Sequence, residues 1–142
     1  MSASWEVQKV LYDKLKANST FMNLISSLSD EPPTNQAQPY VVVGDSIENT
    51  DNTICKNGYE VIQFFKIYTK PGKLGFYPAK QIFIAMNNVL NMKKFTLSGN
   101  LYMINCKLDN MQTIRKDDIR QITARYQVLV GDRSNLNIDQ TS

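Results

Sequence analysis

A chain of 142 residues with 16 basic and 13 acidic side chains, 42% of it hydrophobic, reads as one globular domain. A domain of that size buries about 68–70% of its unfolded surface and builds a core without disulfide or metal staples. It has no histidine, which removes the Ser/His/Asp and Cys/His arrangements and most zinc or di-iron sites, so neither an enzyme nor a cofactor is expected. Cys55 and Cys106 lie far apart in sequence, one in a polar loop and one within a strand. That usage fits a reducing compartment better than a secreted disulfide framework. The N-terminal residues lack a basic and an apolar signal region, and no apolar run is long enough to span a membrane, so a soluble, unprocessed chain with no membrane partner is expected.

The first helix is expected from Trp5 to Lys16, capped by Ser2 or Ser4, with Glu6 in its first turn and Val7, Val10, Leu11 and Leu15 forming one apolar stripe. Asn18-Ser19-Thr20 interrupts it, and Phe21 to Leu28 suggests a further helical turn or two. Asp30-Glu31-Pro32-Pro33 forbids a helix, because consecutive prolines lack amide donors, so Ser29 to Gln38 reads as a surface loop. Pro39 opens a short strand that β-branched Val41 to Val43 continue. Gly44-Asp45 is expected to break it into a polar loop running from Ser46 to Asn57.

Tyr59 to Tyr68 reads as a strand apolar on both faces, with Tyr59, Val61, Phe65 and Ile67 on one and Ile62, Phe64 and Tyr68 on the other. Gly72-Lys73-Leu74-Gly75 is too short and irregular for a phosphate loop and reads as a turn. It leads to a second helix from Pro78 to Leu90, where Ala79, Ile82, Phe83, Met86, Val89 and Leu90 recur at helical spacing. Phe95-Thr96-Leu97 is expected to be a strand joined by a Ser98-Gly99-Asn100 turn to another from Leu101 to Leu108. Asp117-Asp118 reads as an acidic turn, since adjacent carboxylates on an extended chain point apart and do not converge on one ion. Gln121 to Val130 alternates, with Ile122, Ala124, Tyr126, Val128 and Val130 on one face. Together these elements give an α+β fold, a mostly antiparallel β-sheet with two main helices packed on one face. The domain spans residues 1–131, and the polar residues 132–142 form a flexible tail.

Two patterns bear on function. First, helices on one side of the sheet leave the second apolar face of Tyr59 to Tyr68 uncovered, and such surface marks a subunit interface. Tyr59, Phe65 and Ile67, or their opposite-face neighbours, are the candidate contacts. Second, Asp30 to Glu60 holds six carboxylates (Asp30, Glu31, Asp45, Glu48, Asp51, Glu60) against Lys56 alone, whereas Val61 to Leu108 holds seven lysines and no acid. Lys70 and Lys73 belong to that basic stretch. An acidic and a basic pole would favour head-to-tail contact between copies, and Glu48, Asp51 and Lys56 would form a loop that docks on a partner. A sheet-based nucleic-acid-binding module is the competing reading, because Lys66, Lys70, Lys73, Lys80, Lys93 and Lys94 alternate with Phe64, Phe65, Tyr68, Phe76, Tyr77 and Phe95. The pI of 8.8 is only mildly basic, and arginine is absent from that stretch.

The helix Trp5 to Lys16, the run Pro39 to Ser46, Gly58-Tyr59-Glu60-Val61, the helix Pro78 to Leu90 and the strand Gln121 to Val130, in this order and spacing, resemble the tail-completion or tail-terminator proteins of long-tailed bacteriophages. The resemblance implies a structural virion protein, assembled in the host cytoplasm, whose copies form a ring, six-fold by analogy with the tail tube. It also implies contact with the tail tube protein on one ring face and with the head connector or head-completion protein on the other, with DNA only as cargo passing through the channel.

Overall fold

The computed structural model describes residues 3–31, 37–51, 58–116 and 118–133. Its elements are α1 (Ala3–Lys16), α2 (Ser19–Met22), β1 (Ser27–Ser29), β2 (Tyr40–Asp51), β3 (Gly58–Thr69), α3 (Tyr77–Leu90), β4 (Leu101–Lys116) and β5 (Ile119–Asp132). The strands form one sheet in the order β1-β2-β3-β5-β4, antiparallel apart from the three-residue β1, which runs parallel to β2. This is the expected α+β architecture, with β1 an addition that a Ser-Leu-Ser run does not announce. The last strand continues through Asp132, and the tail from residue 134 lies outside the described residues.

Both main helices lie on one face of the sheet because both carry a single apolar stripe. Val7, Leu11 and Leu15 of α1 and Ala79, Ile82, Met86 and Leu90 of α3 are fully or nearly fully buried. Beneath them the ladder aligns Val41 with Ile67, Ile67 with Ile122, and Phe65 with Ala124, so one row of apolar side chains crosses three strands. Tyr126 stands at the centre. Its ring meets Phe65 edge-on at 5.9 Å, and its hydroxyl donates to Asn87 Oδ1 of α3 at 2.9 Å. Such a bond satisfies the one polar atom that this ring carries into the core.

β2 departs from the sequence reading. Gly44-Asp45 does not end the strand; it is a bulge, with the register shifting between Val43 and Ser46 and pairing resuming from Ser46 to Asp51. Gln63 explains how the ladder survives. Its fully buried amide Nε2 donates to Gly44 O at 3.1 Å, to Asp45 O at 3.3 Å and to Phe64 O at 3.0 Å, supplying a donor to carbonyls that the bulge removes from the regular pattern. Gly44 also fits closely, since a Cβ there would lie 3.3 Å from Phe64 O. The expected loop from Ser46 to Asn57 is therefore mostly strand, and β2 and β3 form one long hairpin.

β4 is likewise twice as long as expected. The Ser98-Gly99-Asn100 turn is present, with Gly99 at φ +65° and Leu101 N–H donating to Ser98 O at 3.4 Å. Phe95 to Leu97, however, are not a strand; Phe95 N–H donates to Met103 Sδ at 3.4 Å instead. Asp118 lies in the β4–β5 turn, exposed, as expected of an acidic turn.

Replacing the bulge amide tests this account. Gln63→Leu removes the donor from three part-buried carbonyls and is expected to destabilise the fold by roughly 1–3 kcal/mol. A lowered urea midpoint with an unchanged m-value is the expected reading; an unchanged midpoint would remove Gln63 from this role.

Candidate assembly surfaces

In an antiparallel ladder, directly opposed residues share a face. The face away from the helices is therefore built from Tyr40 and Val42 on β2, Ile62, Phe64, Lys66 and Tyr68 on β3, and Gln121, Thr123, Arg125, Gln127 and Leu129 on β5. None of these residues belongs to the helix-side core. This corrects the candidate contacts. Phe65 and Ile67, expected at a subunit interface, are 0% exposed in the core, and Tyr59 packs half-buried against it. The opposite-face neighbours lie on the side without helices, where Phe64 and Tyr68 are half-buried and Ile62 is buried. The reason is register, which seats Phe65 and Ile67 beside the apolar row of β5 and seats Phe64, Lys66 and Tyr68 beside Arg125, Thr123 and Gln121.

That open face is shielded by its own pairs. Tyr40 and Tyr68 stack at 4.9 Å between ring centres. Arg125 lies 5.8 Å from the centre of the Phe64 ring, with its Nε 2.9 Å from Asp109 Oδ2. Glu60 accepts from Gln127 Nε2 at 2.5 Å and from Asn49 Nδ2 at 3.4 Å. Beside Tyr40 a cleft of about 430 Å³ opens, bordered by Asp30, Val42, Lys66, Tyr68 and Gln8. The same pairs bear on the nucleic-acid reading. Of the aromatics interleaved with lysine, Phe65 is core, Phe64 and Tyr68 are engaged as described, Phe76 faces Arg115 at 5.4 Å and Phe95 faces Lys14 at 5.5 Å. Tyr77 is 55% exposed, but the other five rings serve the fold, which leaves no row of stacking platforms.

The distal half of β2 is the second surface. Every described side chain from Asp45 to Thr50 is exposed, Ile47 at 46%. Glu48 reaches the first turn of α1, where its Oε1 accepts from Ser4 N–H at 2.7 Å, placing a carboxylate at the positive end of the helix. Ser4, one of the two expected caps, thus lies inside the helix, which begins at Ala3, and has its own amide capped by a remote acid from β2; Ser2, the other, lies outside the described residues. Asp51 ends the strand, and Lys56 lies outside the described residues.

Lys70 and Lys73 are exposed in the connection from β3 to α3, at the end of the sheet where Thr69 pairs with Arg120. Arg115, Lys116 and Arg120 share that end; Glu48, Asp51, Glu60 and Asp132 lie toward the other. Most of the charge on the strands is therefore separated along their direction, with Asp118 at the basic end and Arg133 at the acidic end as exceptions, and β4 and β5 contribute arginines that the sequence reading did not place in the basic pole.

Residues 9–131 match the family described as tail completion protein gp17. The chain belongs to that family. No curated protein matches it. A chain from a structure titled as the virion of the native gene transfer agent particle is similar in fold, with a TM-score of 0.72 at 22% identity over 92% of this chain and 98% of that one. The structure of the bacteriophage SPP1 gp17 protein matches at a TM-score of 0.44 and 17% identity, over 86% of this chain and 89% of that one.

Chemically, this tail completion protein offers little for catalysis among its described residues. They contain no group of side chains able to hold a metal, and no helix among them is long and apolar enough to cross a membrane. Cys106 is fully buried, and burial pushes its thiol up to about 12 from an ordinary value of 9.0. Tyr126 is also raised, first by burial and then by Cys106. Both groups hold their proton more tightly folded than unfolded. Their stabilising contribution is whole below about pH 9 and is lost as pH rises toward 12. Stability is expected to fall in that window by up to roughly 1.4 kcal/mol per pH unit for each group. In the native chain, Cys106 should resist maleimide labelling at pH 8 until denaturant is added; rapid native labelling of Cys106, mapped by mass spectrometry, would contradict its burial.

Proposed function

We propose that this tail completion protein acts as a ring of identical copies at the head-proximal end of the phage tail tube, six copies by analogy with the tube. One ring face stops tube growth, and the other receives the head connector or head-completion protein. Family membership supports the tail-completion role, and the fold it shares with a chain of a gene transfer agent virion supports a place in the particle. A structural rather than enzymatic role follows, with DNA passing through the channel as cargo.

The observation that carries the ring is a sheet covered by helices on one face only, in a molecule with its charge separated along the strands. A closed ring of like-oriented copies is heterologous, so each subunit needs two different, complementary patches. An open sheet side and oppositely charged ends supply such patches. The exposed distal half of β2, with Ile47 half exposed between Asp45 and Glu48, is the element that reaches a neighbouring virion protein.

Light scattering after size exclusion, with and without purified tail tubes, tests this reading. The expected result is capped tubes of fixed length carrying a multiple of the chain mass that matches the tube symmetry. Ile47→Asp is expected to weaken capping about tenfold or more while changing stability by no more than about 0.5 kcal/mol. A chain that stays monomeric and adds nothing to tubes would overturn the proposal.

A further inference from the structure

Each edge of the sheet is covered over only part of its length, and by a different device. On the β2 edge, β1 pairs with Tyr40 to Val42, and no strand of the described residues pairs with the outer side from there to Asp51. On the β4 edge, the chain leaving α3 covers the first half. Met92 N–H donates to Cys106 O at 2.7 Å, and Leu108 N–H donates to Asn91 Oδ1 at 2.8 Å. From Asp109 to Lys116, β4 pairs only with β5. An open strand edge is a template for another chain, and folded proteins normally cover or blunt it.

We propose that the free half of β2 in one copy pairs antiparallel with the free half of β4 in the next, so that a single sheet continues from subunit to subunit. This inference rests on the ring reading above and specifies its contact. Three features support it. First, direction agrees: β2 is antiparallel to β3, β3 to β5 and β5 to β4, so a like-oriented neighbour brings its β2 antiparallel to β4. Second, charge agrees. Residues 44–51 carry Asp45, Glu48 and Asp51, whereas residues 109–116 carry Arg115 and Lys116, their one acid, Asp109, being held by Arg125. With the two halves in full overlap, Asp45 comes level with Arg115.

The third feature is stagger. Through the ladders, Ile47 is level with Ile62, Gln127 and Lys107, whereas the middle of the free β4 half is Gln112–Thr113, five to six residues farther along. A shift of that size per four strands, at about 3.3 Å per residue and about 4.8 Å per strand, sets the strands at roughly 45° to the ring axis. Closing a sheet on itself requires a tilt of this order, about 35–45°. The diagonal placement of the two open halves is thus what a closed ring needs. β1 and the Asn91–Met92 segment also obstruct the unshifted register, which selects the staggered one.

The test joins two cysteine variants in a Cys55→Ser background. Thr50→Cys in one purified copy and Asn110→Cys in another, both at exposed strand positions, are mixed with tail tubes and treated with a short bismaleimide. Cross-linked dimer is expected at least tenfold above that of a control mixture of Thr50→Cys with Lys73→Cys. Arg115→Glu should lower the yield about tenfold, and Asp45→Arg in the partner copy should restore it. Copies that cap tubes normally yet cross-link no better than the control would overturn the strand pairing and leave the ring intact. Failure of every mixture, and of the unsubstituted chain, to add to tubes would overturn the ring and the pairing together.

Discussion

The register that seats β3 between β2 and β5 governs the remainder of the molecule. It aligns Val41, Ile67 and Ile122, and Val43, Phe65 and Ala124, into rows that only an apolar helix stripe can cover, and α1 and α3 supply those stripes. A slip of one residue would turn Phe64, Lys66 and Tyr68 under the helices and bring a lysine into the core. The buried Gln63 amide holds the register across the bulge at Gly44-Asp45, and the Tyr126 hydroxyl ties the β5 row to α3 through Asn87. Burying β3 on one face this way leaves its other apolar face to the sheet's own side chains.

Much of this was legible from residue order. The stripes of α1 and α3 and the alternation of β5 are strong periodic signals, and all three elements lie within two residues of their expected bounds. What failed did so for physical reasons. A glycine followed by an acid reads as a strand end, and nothing local says that a glutamine nineteen residues away from Gly44 will satisfy the bulge. The second half of β4, beginning Asp109-Asn110, lacks the alternation of a half-buried strand because it stands at an edge. The choice of face on β3 was open in its own sequence, since both faces are apolar. It is decided by pairing with β5, whose faces differ, and pairing is not written in either strand alone.

Membership of the tail completion family gives these uncovered elements a meaning that the monomer does not supply. A sheet with helices on one face only, two partly open edges and charge gathered unevenly along its strands would be a liability in a protein that worked alone, because open edges invite indiscriminate pairing. In the proposed ring the same features would become complementary patches, and the partial covers supplied by β1 and by Asn91–Met92 would limit the ways in which copies could meet.

Hydrogen–deuterium exchange of the free chain and of the chain bound to tail tubes addresses the central claim most directly. The account predicts slower exchange on binding for amides of residues 44–51 and 109–116, with α1 and α3, already buried against the sheet, unchanged. Protection gained only along the helices, with both strand halves exchanging as fast as in the free chain, would contradict it.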